Sequence, residues 1–289
     1  HAARGRRGND GYSTLMMYVL FVLPAALLLF FLYLLPLARI LMISATDGGG
    51  FVANYGAVLT SAPIHRMVWT TIEICAITTL ATLLISYLIA YVLLQVSERT
   101  RMWMMLCILV PLWVSVLVRA FAWIAVLNNS GPVNGLLQWT GITDEPVQLV
   151  RNQFGVMLGM VHYMLPFGIL PLYAAMKGID PKLISAARAL GARPFTAFRR
   201  VFLPLSLPGL YSAFVIVFIF SLGFYVTPAI LGGGRIVMIA EYIALLISQG
   251  YDWGIAAALA TMLLSVVLAV VFIAGRFADW DSVLGGSRR

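Results

Sequence analysis

Apolar residues run along this chain in long, nearly unbroken blocks. They show neither the three- and four-residue spacing of a half-buried helix nor the alternation of a strand. A helix rises about 1.5 Å per residue and a bilayer core is about 30 Å thick, so roughly 20 apolar residues in a row predict a crossing. Six blocks qualify: Leu15–Ile43, Met67–Leu94, Met102–Leu127, Phe154–Met176, Gly209–Leu231 and Trp253–Gly275. A seventh, Ile236–Gly250, is shorter and carries Glu241, which predicts a helix lying against the outer surface. The expected architecture is an all-α membrane protein with six transmembrane helices over residues 15–275, flanked by cytoplasmic segments 1–14 and 276–289. The first block is too long for the apolar region of a secretory signal and reads as a true span.

Composition fits this reading. Of 289 residues, 62% are hydrophobic and 10% charged, with a mean hydropathy of +0.96. A soluble domain keeps roughly 25% charged residues, so a water-soluble globule, a disordered chain and a solvated nucleic-acid binder are excluded. The net charge of +8 is explained by where the basic residues fall. With a cytoplasmic N-terminus, the inner segments hold fourteen of the 19 Lys and Arg, and the outer ones only Arg66, Arg151 and Arg235. Arg39 and Arg119 lie in spans. The positive-inside bias therefore predicts both ends inside. The outer connections, 46–66, 128–153 and 232–252, are rich in turn-forming residues such as Asp47-Gly48-Gly49-Gly50. Cys75 and Cys107 fall in apolar runs and form neither a metal-spaced cluster nor a disulfide framework. No internal repeat is found, so an inverted-repeat transporter gains no support.

The longest inner connection, Lys177 to Pro208, carries the strongest signal. Asp180 is placed to cap a helix that begins at Pro181, where a missing N–H costs nothing, and Gly191 is placed to stop it. Pro194 opens a second helical stretch through Val201, and Pro204 and Pro208 punctuate the approach to the fifth span. Small residues at Ala186, Ala187 and Gly191 would let another surface approach closely, with Arg188 beside them. Physical chemistry leaves two readings open: a docking element for a partner, or an amphipathic connector on anionic lipid.

The segment Ser185-Ala186-Ala187, Gly191, Val201 and Leu203-Pro204 resembles a pattern in the membrane subunits of binding-protein-dependent ABC importers. That pattern is Glu-Ala-Ala, three residues, Gly, nine residues, Ile, one residue, Leu-Pro, and every spacing is kept. Ser185 stands in place of the acid and Val201 in place of Ile, so a salt bridge from position 185 is lost. In detail the chain is similar to permeases of spermidine/putrescine importers, through Pro111-Leu112-Trp113, Leu117-Val118-Arg119, Met164-Leu165-Pro166-Phe167 and Pro171-Leu172-Tyr173. The resemblance implies a type I ABC importer permease in the bacterial inner membrane. It implies two cytoplasmic ATP-binding subunits that carry ATP and Mg, a second homologous permease subunit, and a periplasmic solute-binding protein. The ATPase-coupling residues implied are Asp180, Pro181, Ser185, Ala186, Ala187, Arg188, Gly191 and Pro204. The chain has no phosphate loop of its own, so no cofactor is expected on it and no enzymatic role.

Charged residues inside spans cost about 2.5–3.5 kcal/mol each on insertion scales, which makes each a functional suspect. Glu73 and Arg119 lie at similar expected depths with opposite signs. They are expected either to pair as a clamp between helices or to face the translocation path. Trp123, Tyr163, Phe224 and Tyr225 are further path candidates, able to offer aromatic faces to a polyamine, or else simple packing residues. His162 is expected to be a hydrogen-bonded packing residue, Arg39 to snorkel to headgroups, and the Gly155/Gly159 pair to mark a close helix contact. Other small solutes (opines, amino-acid derivatives, iron complexes) remain alternatives. An ion-coupled secondary transporter is the competing class, disfavoured because Glu73 is the one acid well inside a span.

Overall fold

The computed structural model describes residues 9–250 and 252–277. Residues 1–8 of the expected N-terminal segment and 278–289 of the expected tail lie outside them. Among the described residues every regular element is helical. Six runs are long and apolar enough to cross a membrane, as the block lengths require, but two differ in their ends and one is interrupted.

The first crossing is built from α1 (Asn9–Leu29), a π turn at Phe30–Leu34, and α2 (Leu35–Thr46). Pro36 causes the π turn. It has no N–H for the carbonyl four residues back, and its ring would strike that carbonyl in a regular helix. Widening the turn removes the clash, and the N–H of Leu35 reaches back to the carbonyl of Phe30. A short helix, α3 (Phe51–Thr60), then lies in the first outer connection, where turn chemistry alone was expected. The buried Asn54 fixes it, donating to the carbonyls of Ser44 (3.0 Å) and Asp47 (2.7 Å).

The second crossing, α4 (Ala62–Gln95), starts five residues before the expected Met67. The third apolar block, expected as one span, is two helices, α5 (Glu98–Trp113) and α6 (Val116–Leu127), which meet at Val114–Ser115. Its apolar run continues into α7 (Pro132–Trp139), giving a candidate crossing over Val116–Trp139. The fourth, α8 (Gln153–Lys177), keeps Pro166 and Pro171 inside it.

After α8 come α9 (Pro181–Ala189), α10 (Pro194–Ala197), a second π turn at Phe198–Phe202, and α11 (Leu203–Leu222). The helical run from Pro194 to Leu222 is continuous, so Pro204 and Pro208 lie within the fifth crossing and do not set it off from the loop. The second π turn repeats the first: Leu203 donates to the carbonyl of Phe198, and Pro204 follows. The same crossing ends early, at Leu222, and α12 (Val226–Gly232) follows a break at Gly223–Tyr225. The short helix α13 (Ile239–Gln249) is about 17 Å long, too short to cross. The chain closes on α14 (Trp253–Phe277).

Three buried clusters hold this together. Ile74, Val156, Met160, Leu222, Leu231 and Met238 join α4, α8, α11 and α12 toward one end of the molecule. Leu83, Ala90, Leu172, Met176, Phe202 and Ala213 join α4, α8 and α11 toward the end that bears α9. A third cluster, including Val58, Ile64, Leu246 and Leu259, packs α3, α4, α13 and α14 together. Lipid offers no hydrophobic gain for helix association, so close contact between small residues carries much of the α4–α8 packing. Gly168 meets Ser86 and Thr82 so closely that a Cβ there would strike the Ser86 hydroxyl. The end with α9 is termed the loop end below, and the opposite one the far end.

At the far end, Glu241 is buried in the first turn of α13, with Oε2 unpartnered among the described residues. Burial pushes its carboxyl from 4.5 up to about 7, opposed by the backbone N–H of Met238.

Candidate functional site: the loop helix and the intramembrane aromatic cluster

The loop helix forms as its local sequence dictates. Asp180 accepts from the N–H of Lys182 at 2.9 Å, Pro181 takes the first turn, and Gly191 closes the helix at φ +87. That conformation favours glycine, and the space around Gly191 is open. Ser185 turns its hydroxyl back to the carbonyl of Pro181 at 3.2 Å, so the residue in the acid's place is spent within its own helix. Ala186 and Arg188 are exposed and Ala187 half-buried. Three large apolar side chains stand out here: Leu183 (48% exposed), Leu190 (88%) and Phe195 (71%). The helix therefore presents a small-residue ridge flanked by unburied apolar groups, the form of a docking surface.

What anchors this loop was not foreseen. At the loop end of α4, Tyr91 meets the rings of Phe198 and Phe202 edge-on, with centroids 5.5 and 5.3 Å apart. Tyr87 meets Phe198 at 6.4 Å, and its hydroxyl lies 2.9 Å from Ser206 Oγ. The π turn thus presents both phenylalanines to α4, and Pro204 sits two residues beyond them. Arg101 completes this end by donating from Nε to the carbonyl of Leu93 (2.9 Å) and from Nη2 to that of Val96 (3.2 Å), where α4 runs out of helical partners. The signal in the sequence is Tyr87 and Tyr91, one helical turn apart on the same face.

Inside the membrane region the expected Glu73–Arg119 pair is not formed. Glu73 is half-buried on α4. Arg119 is buried and spends Nη2 on the carbonyls of Pro111 and, at 2.9 Å, Val114. Both lie at the C-terminal end of α5: the Pro111 carbonyl also accepts the Val114 N–H at 3.2 Å, while that of Val114, at the break, needs a donor that lipid lacks. The sequence shows charges but not backbone acceptors, so it pointed to the wrong partner. The guanidinium also lies over the Tyr163 ring, 5.0 Å from its centroid, while Nε and Nη1 have no hydrogen-bond partner among the described residues.

Of the aromatic candidates, the structure brings Trp123, Tyr163 and Phe224 together with Arg119. Tyr163 and Phe224 centroids are 4.6 Å apart, and Trp123 Nε1 donates to His162 Nδ1 at 3.2 Å, which gives His162 the packing role expected of it. The group continues through Phe167 to Phe220. Tyr225 stands apart at the break before α12, half exposed. Gly159 makes the close approach expected of it, against Leu231 and Thr227. The cation seated on Tyr163 is therefore the protein's own, while Tyr225 and Phe220 are each about half exposed.

Over 255 residues the chain is 30% identical to the spermidine/putrescine transport system permease protein PotB of Haemophilus influenzae, covering 84% of this chain and 88% of that one. PotB of Escherichia coli (strain K12) is 29% identical over 211 residues, covering 72% and 77%. Among solved structures, a chain of a bacterial alginate ABC transporter, crystallised with an alginate pentasaccharide-bound periplasmic protein, matches with a TM-score of 0.75 at 19% identity, covering 95% and 97%. A chain of the inward-facing MetNI methionine ABC transporter matches with a TM-score of 0.54 at 20% identity, covering 75% and 97%. These two show the fold. Residues 82–280 match the family described as binding-protein-dependent transport system inner membrane component, and the chain belongs to that family: it is a multi-pass permease subunit of the ABC importer class.

Proposed function

We propose that this chain forms half of the translocation path of a polyamine importer, with its loop end in the cytoplasm and α9 seated on one of two ATP-binding subunits. A second, homologous permease completes the path and a periplasmic solute-binding protein delivers the solute at the far end. ATP and Mg stay on the ATPase subunits. The observation that carries this reading is the loop helix itself: capped at both ends, ridged with alanine, fringed by exposed Leu183, Leu190 and Phe195, and followed by a π turn whose Phe198 packs on Tyr87 and Tyr91 of α4. ATPase closure pushing on α9 would move α4 and α11 as packed bodies rather than bend a loose connector. The inner orientation of that end rests on the fourteen-to-three distribution of basic residues.

Polyamine as solute rests on the PotB relatives and on the half-exposed faces of Tyr225 and Phe220, which suit an alkylammonium. One observation favours a different solute within the same class: Arg119 places an unneutralised cation beside Tyr163, which suits an anionic group. A relative with 27% identity, a probable sulfate transport system permease protein of Prototheca wickerhamii, is named for an anion. Uptake of labelled spermidine and sulfate into vesicles holding the assembled importer decides between them. Spermidine uptake that is ATP-dependent is the expected result. Replacing the exposed Ala186 by Trp should release the ATPase subunits during purification; retention of the ATPase by Ala186→Trp would remove α9 as the docking element.

A further inference from the structure

Arg66, Arg151 and Arg235 are the three basic residues that the positive-inside pattern leaves on the far side. They are distant in sequence, yet the fold gathers them. Arg66 in the first turns of α4 and Arg235 in the segment before α13 line one cleft of about 320 Å³ with Gln153 and Thr70, over a floor that includes Met67 and Ile236. No acid lines it. Arg151 lies two residues before Gln153, and its stem passes so close to Gly233 that a Cβ there would sit 2.8 Å from Arg151 Cγ. Arg151 holds a left-handed backbone, φ +61, unusual for a residue with a side chain, and its N–H is tied to the carbonyl of Leu231 at 2.8 Å. Such a conformation persists where the surrounding structure enforces it, and it gathers at functional sites.

We infer that this arginine-lined cleft is the docking site for an acidic patch of the solute-binding protein, an inference that rests on the importer reading above. The three guanidinium groups are exposed. An exposed guanidinium–carboxylate pair is too weak to hold a free carboxylate or a single lipid phosphate against the entropy of association. A folded partner that brings several carboxylates on one rigid face overcomes that limit. It also uses charge to steer its approach and fix its register. Thr70 and Gln153 add polar contacts, and the apolar floor gives the interface a dry centre.

The test uses the complete importer, with both permeases and both ATPase subunits, in nanodiscs of zwitterionic lipid. Binding protein is titrated while ATP hydrolysis is followed. For the pair Arg66→Glu/Arg235→Glu, the half-saturating concentration of binding protein is expected to rise about tenfold or more at low salt and to converge on wild type as salt screens the charges. Hydrolysis without binding protein is expected to be unchanged. The pair Arg66→Gln/Arg235→Gln should fall between the two, and it still reads the interface if charge reversal disturbs folding. A half-saturating concentration within twofold of wild type in both pairs overturns the cleft while leaving the importer reading intact. A shift produced by 10 mM acetate equally in wild type and variants marks a small-anion effect and also overturns it. A wild type that no binding protein stimulates overturns the importer reading and the cleft together.

Discussion

Two helix interruptions near prolines, at Pro204 and past Pro111, have opposite results. At Pro204 the helix continues: the Phe198–Phe202 turn widens and Leu203 finds the carbonyl of Phe198. Past Pro111 the helix stops two residues on, restarts at Val116, and leaves the Val114 carbonyl for Arg119 to satisfy from the next helix. Both solutions obey one rule, that no backbone group stays unpaired where water is absent. They differ in reach. The widened turn is self-contained, while the break depends on a distant side chain and places a charge where it also meets Tyr163.

The comparison breaks most visibly at Arg119. Arg119→Leu leaves the Val114 carbonyl without a donor, at about 1–3 kcal/mol, and removes the guanidinium from Pro111 and Tyr163, which should prevent assembly or lower the Tm markedly, read by size-exclusion of the complex and thermal unfolding. Glu73→Gln should leave assembly intact, since Glu73 is not among the partners of Arg119. Equal damage from both variants would restore the ion pair and refute the break-capping role. A smaller effect is expected at the other interruption. Tyr91→Ala removes two edge-on ring contacts, about 0.5–1.5 kcal/mol each, and should lower solute transported per ATP several-fold while ATPase subunits remain bound. Unchanged coupling would show that the π turn is not driven through α4. Pro204→Ala removes the cause of the widened turn. It should cost little stability and reduce transport per ATP by about twofold or less, as Phe198 and Phe202 shift from Tyr91. A stable, fully coupled Pro204→Ala importer would make the turn incidental.

A separate effect, seen only as pH changes, lies at Glu241, far from both prolines. Its carboxyl in the fold stands at about 7 against an ordinary 4.5, so the folded state favours the protonated form. The associated stability is full below pH 4.5 and is lost as pH rises toward 7. Glu241→Gln imitates the protonated acid. It should raise the Tm at pH 8 by a few degrees and leave it unchanged near pH 4.5; a shift of equal size at both values would assign the effect to packing.

What could be read from the chain follows a physical division. Block length gave the crossings because bilayer thickness is an external ruler. The α9 helix was legible down to Asp180 and Gly191 because caps are local chemistry. The breaks at Val114–Ser115 and Gly223–Tyr225 were not, since an apolar stretch reads alike whether its helix is whole or divided. α3 was hidden by the Gly-rich turn before it, and Arg119 found an acceptor that no side chain advertises. Trp123, Tyr163 and Phe224, named as path candidates or packing residues, gather about Arg119, whereas Tyr225 stands aside and Tyr163 already holds a cation.

Each widened turn is also a phase shift. A π turn accommodates one extra residue, so whatever follows is rotated by about 100° from where an unbroken spiral would carry it. A helical wheel drawn straight through Phe30–Leu34 or Phe198–Phe202 assigns wrong faces to everything after it. It would misplace Ser206, Gly209 and Ala213, the residues by which α11 lies buried.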